Sequence, residues 1–311
     1  MRYSSLMTGV LMTAVVAACL LSGCQDNTQQ TRKEIGRISF CADNFQLQDD
    51  EFTKTVIGDG GSFMWTEQDT VGIYPNTGSQ VFFEITDGAD ASTAVFDGGG
   101  WALKPSSVYY GYYPFIGDIY LDKNNIEVSF TGQKQTGIAG VNHIGGYDYM
   151  YAPGTTSDNG ALNFQFHHLC CIIRPKVTLP AGTYTKLAVT APSAVFAVRG
   201  HYDLQALSPA IVADENTDQL VIDLDQVTLN SDGTFMVYLV SAPVDLQGVE
   251  ITVSVLDSER KEYQCKKTPS RAYTAGTIGG LTCSTFIEVP QAMGLIVENW
   301  GNGGTIGGNA D

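Results

Sequence analysis

The chain has 311 residues, with 33 acidic against 17 basic and a formal net charge of −16. A surface of that sign repels nucleic acid and anionic lipid, so no nucleic-acid partner is expected. The length is long for one domain and comfortable for two.

The N-terminus carries Arg2 and then an apolar run from Leu6 to Leu21. This is the pattern of an export signal rather than a folded element. Thr8, Gly9 and Thr13 interrupt the run, which falls short of the roughly 20 apolar residues a membrane span needs. It ends in Leu21-Ser22-Gly23-Cys24, which looks like a lipobox. A branched apolar residue and two small residues would admit a signal peptidase, and Cys24 would become the lipidated first mature residue. Residues 1–23 are therefore expected to be a lipoprotein signal peptide. No later segment is long and apolar enough to span a bilayer, so acyl chains on Cys24 are the expected anchor to the membrane. Residues 24–36 are polar and are expected to form a flexible tether.

Beyond the tether, apolar residues recur with period two, which turns one face inward. Ile38 and Phe40 alternate with Ser39 and Cys41, and Ile126, Val128 and Phe130 alternate with Glu127 and Ser129. Leu220, Ile222 and Leu224, then Ile251, Val253 and Val255, repeat the pattern. Turn signals such as Asp59-Gly60-Gly61 and Asp232-Gly233 separate the runs. No helical stripe of useful length is present, so the fold class is all-β, of the sandwich or barrel kind. A first set of strands is predicted near 37–42, 70–74, 81–86, 108–115, 125–131, 147–151 and 161–174. A second is predicted near 185–190, 194–202, 219–224, 234–240, 249–256, 261–267 and 277–285. The seam is placed at Leu179-Pro180-Ala181-Gly182, giving an N-terminal sandwich over 37–178 and a C-terminal sandwich with its tail over 179–311.

The side chains that could carry chemistry do not converge. His167, His168, Cys170 and Cys171 alternate between the two faces of a strand, so no face gathers three ligands. No paired zinc spacing exists, and no metal or cofactor is expected. Cys41, Cys170, Cys171, Cys265 and Cys283 form no disulfide framework and read as small apolar residues. No glycine cluster has the form of a phosphate loop, and there is no Gly-x-Ser-x-Gly elbow. No catalytic residue is assigned and the chain is not expected to be an enzyme. Asp223 and Asp225 alternate with Leu224 and read as the solvated side of a strand. The densest aromatic cluster is Tyr109, Tyr110, Tyr112, Tyr113 and Phe115. It reads either as a core strand, with Tyr109, Tyr113 and Phe115 inward, or as a sugar-stacking platform using Tyr110 and Tyr112. The core reading is favoured, because strands are rich in aromatic residues.

Several segments in order resemble the fimbrillin family. Trp65-Thr66-Glu67-Gln68-Asp69-Thr70-Val71-Gly72-Ile73-Tyr74 is similar to its early Trp…Asp-x-[Val/Ile]-Gly-[Val/Ile]-Tyr signature. Tyr109 to Phe115 resembles its Tyr-Tyr-Pro strand, Phe166-His167-His168-Leu169 the strand leading to its second domain, Ala275-Gly276-Thr277 its late turn, and Trp300…Gly303-Gly304 its ending. The resemblance implies two transthyretin-like β-sandwich domains in tandem on a lipoprotein of the outer-membrane surface. It implies a pilus subunit, whether stalk, tip or anchor, whose first strand is cut away and replaced by a neighbour's strand. Family processing falls at a basic residue between the first strand and the Trp motif, where this chain has Lys54 in place of the usual arginine. The apolar run Leu295, Ile296 and Val297 is the candidate donor strand. Expected partners are other fimbrial subunits, copies of the chain itself, the outer membrane through the lipid, and host or bacterial surface ligands. The alternative is a glycan-binding surface lipoprotein outside any fibre.

Overall fold

The computed structural model describes residues 38–48, 63–98, 103–104, 106–117, 121–157 and 161–290. In chain order the strands begin with β1 (Ile38–Ala42), β2 (Gln46–Leu47), β3 (Thr70–Pro75), β4 (Val81–Asp87), β5 (Thr93–Asp97), β6 (Val108–Tyr113), β7 (Ile126–Ser129) and β8 (Lys134–Thr136). After a helical turn at Ile144–Gly146 come β9 (Met150–Thr156), β10 (Leu162–His168), β11 (Cys171–Leu179), β12 (Gly182–Thr190), β13 (Phe196–Tyr202) and β14 (Val212–Thr217). The remainder are β15 (Gln219–Leu229), β16 (Gly233–Met236), β17 (Leu239–Ser241), β18 (Ile251–Asp257), β19 (Glu262–Lys267), β20 (Thr277–Cys283) and β21 (Ile287–Val289). The protein is all-β, as its alternating runs predicted.

Strands β1-β10-β9-β6-β3-β4-β5 close into a barrel, with β1 completing the ring between β5 and β10. Closure removes the unpaired edges that an open sheet would present. Ile38, Phe40, Trp65, Val71, Ile73, Phe83, Phe96, Phe164 and Phe166 fill the interior. The second half packs the sheet β16-β11-β20-β2, with β17 also on β11, against the sheet β21-β19-β18-β12-β15-β8. Its core takes Ile173, Val177, Leu187, Val189, Ile222, Val253 and Val255. A third cluster, including Tyr74, Tyr112, Val128, Ile172, Tyr202 and Tyr238, joins the outer face of the barrel to the second half.

The predicted strand sets divide differently in space. β7, expected in the first sandwich, pairs with β13, and β8 pairs with β15. β2 likewise crosses from the first segment to β20. The predicted strand at 161–174 is two strands, and the chain passes from barrel to second half at Leu169 and Cys170. Leu179-Pro180-Ala181-Gly182 is instead the turn between β11 and β12, which share one core. Pro180 and Gly182 signalled a turn correctly, but a turn inside a sandwich carries the same residues as a turn between sandwiches.

Gly72 shows how tightly β3 and β6 meet. A Cβ built there would lie 1.9 Å from the Tyr112 ring, so only glycine fits. Gly72→Val is expected to prevent folding, seen as loss of soluble protein and of a cooperative thermal transition. A variant that melts within a few degrees of wild type would contradict the close approach.

Candidate functional site

β1 is short, yet it is bonded on both sides. It runs parallel to β10, with Phe40 opposite Phe164, and antiparallel to β5, with Phe40 opposite Ala94. Alternation drives Ile38, Phe40 and Ala42 into the barrel. The Phe40 ring lies 4.5 Å from Phe96, 5.5 Å from Phe164, 5.6 Å from Phe166 and 6.4 Å from Trp65, centroid to centroid. Full burial of each large apolar side chain contributes about 1.5–3 kcal/mol. Without β1 the barrel would expose the edges of β5 and β10 and a groove floored by these rings.

The chain beyond β1 is clamped to β10 by polar groups. The Asp43 N–H donates to the Phe166 carbonyl at 2.9 Å. Its carboxylate accepts from Gln165 Nε2 at 2.7 Å and meets His167 Nδ1 at 2.6 Å. Its carbonyl lies 2.7 Å from His168 Nε2. His168 Nδ1 is 2.9 Å from Asp148 Oδ1, and the two side chains are 0% and 1% exposed. Phe45 stacks on the His168 ring at 3.9 Å. The Gln46 and Gln48 N–H groups then donate to the carbonyls of Gly276 and Ile278 at 2.8 and 3.0 Å. Residues 38–48 are thus one ribbon tied first to the barrel and then to the second half.

Burial alone would lower the His168 pKa, but the charge and hydrogen bond of Asp148, with the Asp43 carbonyl and charge, outweigh it and leave the group raised above 6.5. A raised folded value gives stability that is complete below the unfolded pKa and lost as pH rises through the folded one. Denaturation midpoints should therefore decline as pH climbs from about 6.5, and His168→Gln should flatten that slope. An equal slope in the variant would assign the decline to other groups.

The sequence had raised His167 and His168 as metal ligands only to discount them, and each is held by a carboxylate. Among the described residues no group of three or more His, Cys, Asp or Glu is arranged to hold a metal ion. Cys170, just before β11, and Cys171, its first residue, are buried thiols in the joining cluster and the second core respectively. Asp223 and Asp225 pair at 3.1 Å with Lys186 and Lys134 at the surface of β15. Asp43 and Asp148 were not singled out in the sequence. The available signal was Tyr147-Asp148-Tyr149, a carboxylate set between aromatic residues just before β9.

The sugar-stacking alternative needed open ring faces at Tyr110 and Tyr112, and Tyr112 has none. Its ring is wholly buried against Gly72, its hydroxyl donates to Gln80 Oε1, and it accepts the Ile116 N–H at 3.1 Å. Tyr110 is half-buried and lies against Gly154. Tyr109 and Tyr113 do face the barrel core, but Phe115, expected beside them, packs on the opposite side with Tyr110. Cys24, Lys54, Leu295, Ile296 and Val297 lie outside the described residues.

No family model matches the chain and no curated protein matches it. Solved structures do. A candidate cell adhesion protein of Bacteroides ovatus aligns over 82% of this chain and 96% of its own, with TM-score 0.52 and 14% identity. A second, from Bacteroides fragilis, aligns over 84% and 99%, with TM-score 0.44 and 11% identity. The fimbrial anchor protein Mfa2 of Porphyromonas gingivalis aligns over 81% and 95%, with TM-score 0.32 and 12% identity. The likeness is one of fold. It accords with the architecture that the fimbrillin resemblance implied.

Proposed function

We propose that this chain is a cell-surface adhesion or fimbrial lipoprotein, anchored in the outer membrane through Cys24 and serving as a binding or structural subunit rather than an enzyme. In this reading the first strand is exchangeable. Proteolysis at Lys54 frees the segment carrying β1 and β2, and a strand from another subunit or another copy takes the vacated groove. Leu295, Ile296 and Val297 are the donor assigned to this chain's own C-terminus. The observation that carries the reading is the position of β1: it closes the barrel between β5 and β10, and it precedes the segment that contains Lys54. A donated strand would restore the same backbone bonds by β-augmentation. The fold shared with a candidate adhesion protein supports the role.

Anchoring is tested at Cys24. Cys24→Ser should abolish acyl labelling and shift the protein from the membrane fraction to the soluble one. Unchanged labelling would rule out Cys24 as the lipidated residue.

A further inference from the structure

Cys265 and Cys283 belong to different sheets of the second half, yet they meet in its core. Cys265 is the one buried residue of β19 and stands opposite the core residue Val253 of β18. Cys283 ends β20, opposite the core residue Val177 of β11. The chain path brings the two together. From Cys283 it crosses residues 284–286 and enters β21, which pairs back onto β19 with Ile287 opposite Gln264. Cys265 is therefore the first β19 residue beyond that pairing, on the side from which the crossover arrives. Here β19 and β20 approach within 8 Å, Cα to Cα, closer than the roughly 10 Å at which facing sheets stack. The two thiols are in hydrogen-bonding contact across the gap. Burial raises the Cys283 pKa, and the neighbouring Cys265 sulfur adds to the rise. The other thiols have no such relation: Cys170 and Cys171 enter different clusters, and Cys41 meets Thr93.

We propose that Cys265 and Cys283 are a site of oxidative modification, joined as a disulfide in the exported protein and stapling β19 of one sheet to β20 of the other. The oxidant is an external disulfide, carried by a small thiol compound or by a thiol–disulfide exchange protein. Cys265, the less buried of the pair at 5% against 0% exposure, attacks it as the thiolate and forms a mixed disulfide. Its proton ends on the first thiol released. The Cys283 sulfur then attacks Cys265 Sγ, and its proton ends on the second thiol as that leaves. One external disulfide becomes two thiols for each protein disulfide formed. Because Cys283 is buried and its thiol is held protonated, closure runs faster in the unfolded or refolding chain than in the folded one. The staple closes the loop of residues 266–282, and β21 with the chain beyond it then hangs from a crosslinked sandwich. Export, as proposed above, delivers the chain to a compartment where disulfides persist. The pairing itself rests on the strands alone and is tested on purified protein.

Refolding of the mature chain carrying Cys24→Ser, from urea into a mixture of reduced and oxidised glutathione, decides it. Free thiols are then counted and the bond is mapped by mass spectrometry of unreduced peptides. The count should fall from the five of Cys41, Cys170, Cys171, Cys265 and Cys283 by two, with Cys265 linked to Cys283. The oxidised chain should melt about 5–10 °C above the reduced one, as a crosslink closing a loop of this length implies. Cys283→Ala should melt at one temperature with or without glutathione disulfide. The thiol count and the map stand even if that variant fails to fold. Five free thiols after equilibration, a bond between any other two cysteines, or a Cys265–Cys283 bond that leaves the melting temperature unchanged or lower would each overturn the proposal.

Discussion

Replacing Gln133 with leucine is expected to lower the unfolding free energy by about 2–6 kcal/mol, because it orphans the buried Val240 N–H and carbonyl at about 1–3 kcal/mol each. Gln133 is 1% exposed. Its Nε2 donates to the Val240 carbonyl at 2.7 Å, and its Oε1 accepts the Val240 N–H at 2.8 Å. Gln135, two residues on and on the same face, repeats the arrangement. It donates to the Met236 carbonyl at 2.7 Å and accepts the Tyr238 N–H at 2.9 Å. The two side-chain amides stand in for a strand alongside the interval between β16 and β17, where sheet pairing is interrupted. They also fasten β8 to the second half. Leucine keeps the volume but has no polar atoms, so the loss reads hydrogen bonding rather than cavity formation. Urea denaturation measures it, and a midpoint unchanged from wild type would contradict the role of these amides.

Phe40→Ala is expected to cost about 3–5 kcal/mol, the usual penalty for emptying an aromatic site in a core. Phe40 is fully buried among Trp65, Phe96, Phe164 and Phe166. The location of the loss matters more than its size. β1 holds Ile38, Phe40 and Ala42 inward, so removing the central ring weakens its hold on the groove while the Asp43 clamp to β10 remains. Hydrogen exchange should accelerate in residues 38–42 and along β5, with β12, β15 and β18 little changed. Uniform acceleration across both cores would show that β1 opens only with global unfolding.

The all-β class was legible because period-two runs such as Leu220, Ile222 and Leu224 are long and bounded by turns; all three are buried in β15. β5 and β14 were not. β5 shows only Ala94 and Phe96 inward, too short a pattern to register. β14 reads Val-Ala-Asp-Glu-Asn-Thr and has no fully buried residue, so no alternation marks it. The attachment of β8 to the second half was hidden for a different reason. It involves Gln133 and Gln135, polar residues whose burial is set by distant backbone groups and not by local pattern. The aromatic cluster was half legible. Alternation separates Tyr109 and Tyr113 from Tyr110 and Tyr112, but it cannot tell a solvated outer face from one covered by the second half, and Tyr112 lies under the joining cluster. The His168 site needed the long-range approach of Asp43 and Asp148, which no spacing reveals.

The central claim is that β1 is a replaceable strand. Its most direct test is limited trypsin treatment of the folded mature chain, followed by native gel and mass spectrometry with and without a peptide of residues 291–311. The expected result is a cut after Lys54, besides trimming of the tether at Arg32 and Lys33, with the fragment that carries β1 still bound through β1 and Asp43. Excess peptide should then release that fragment and take its place. Either a chain left uncut at Lys54, or a nicked chain whose fragment stays bound in excess peptide while the peptide fails to associate, would contradict it.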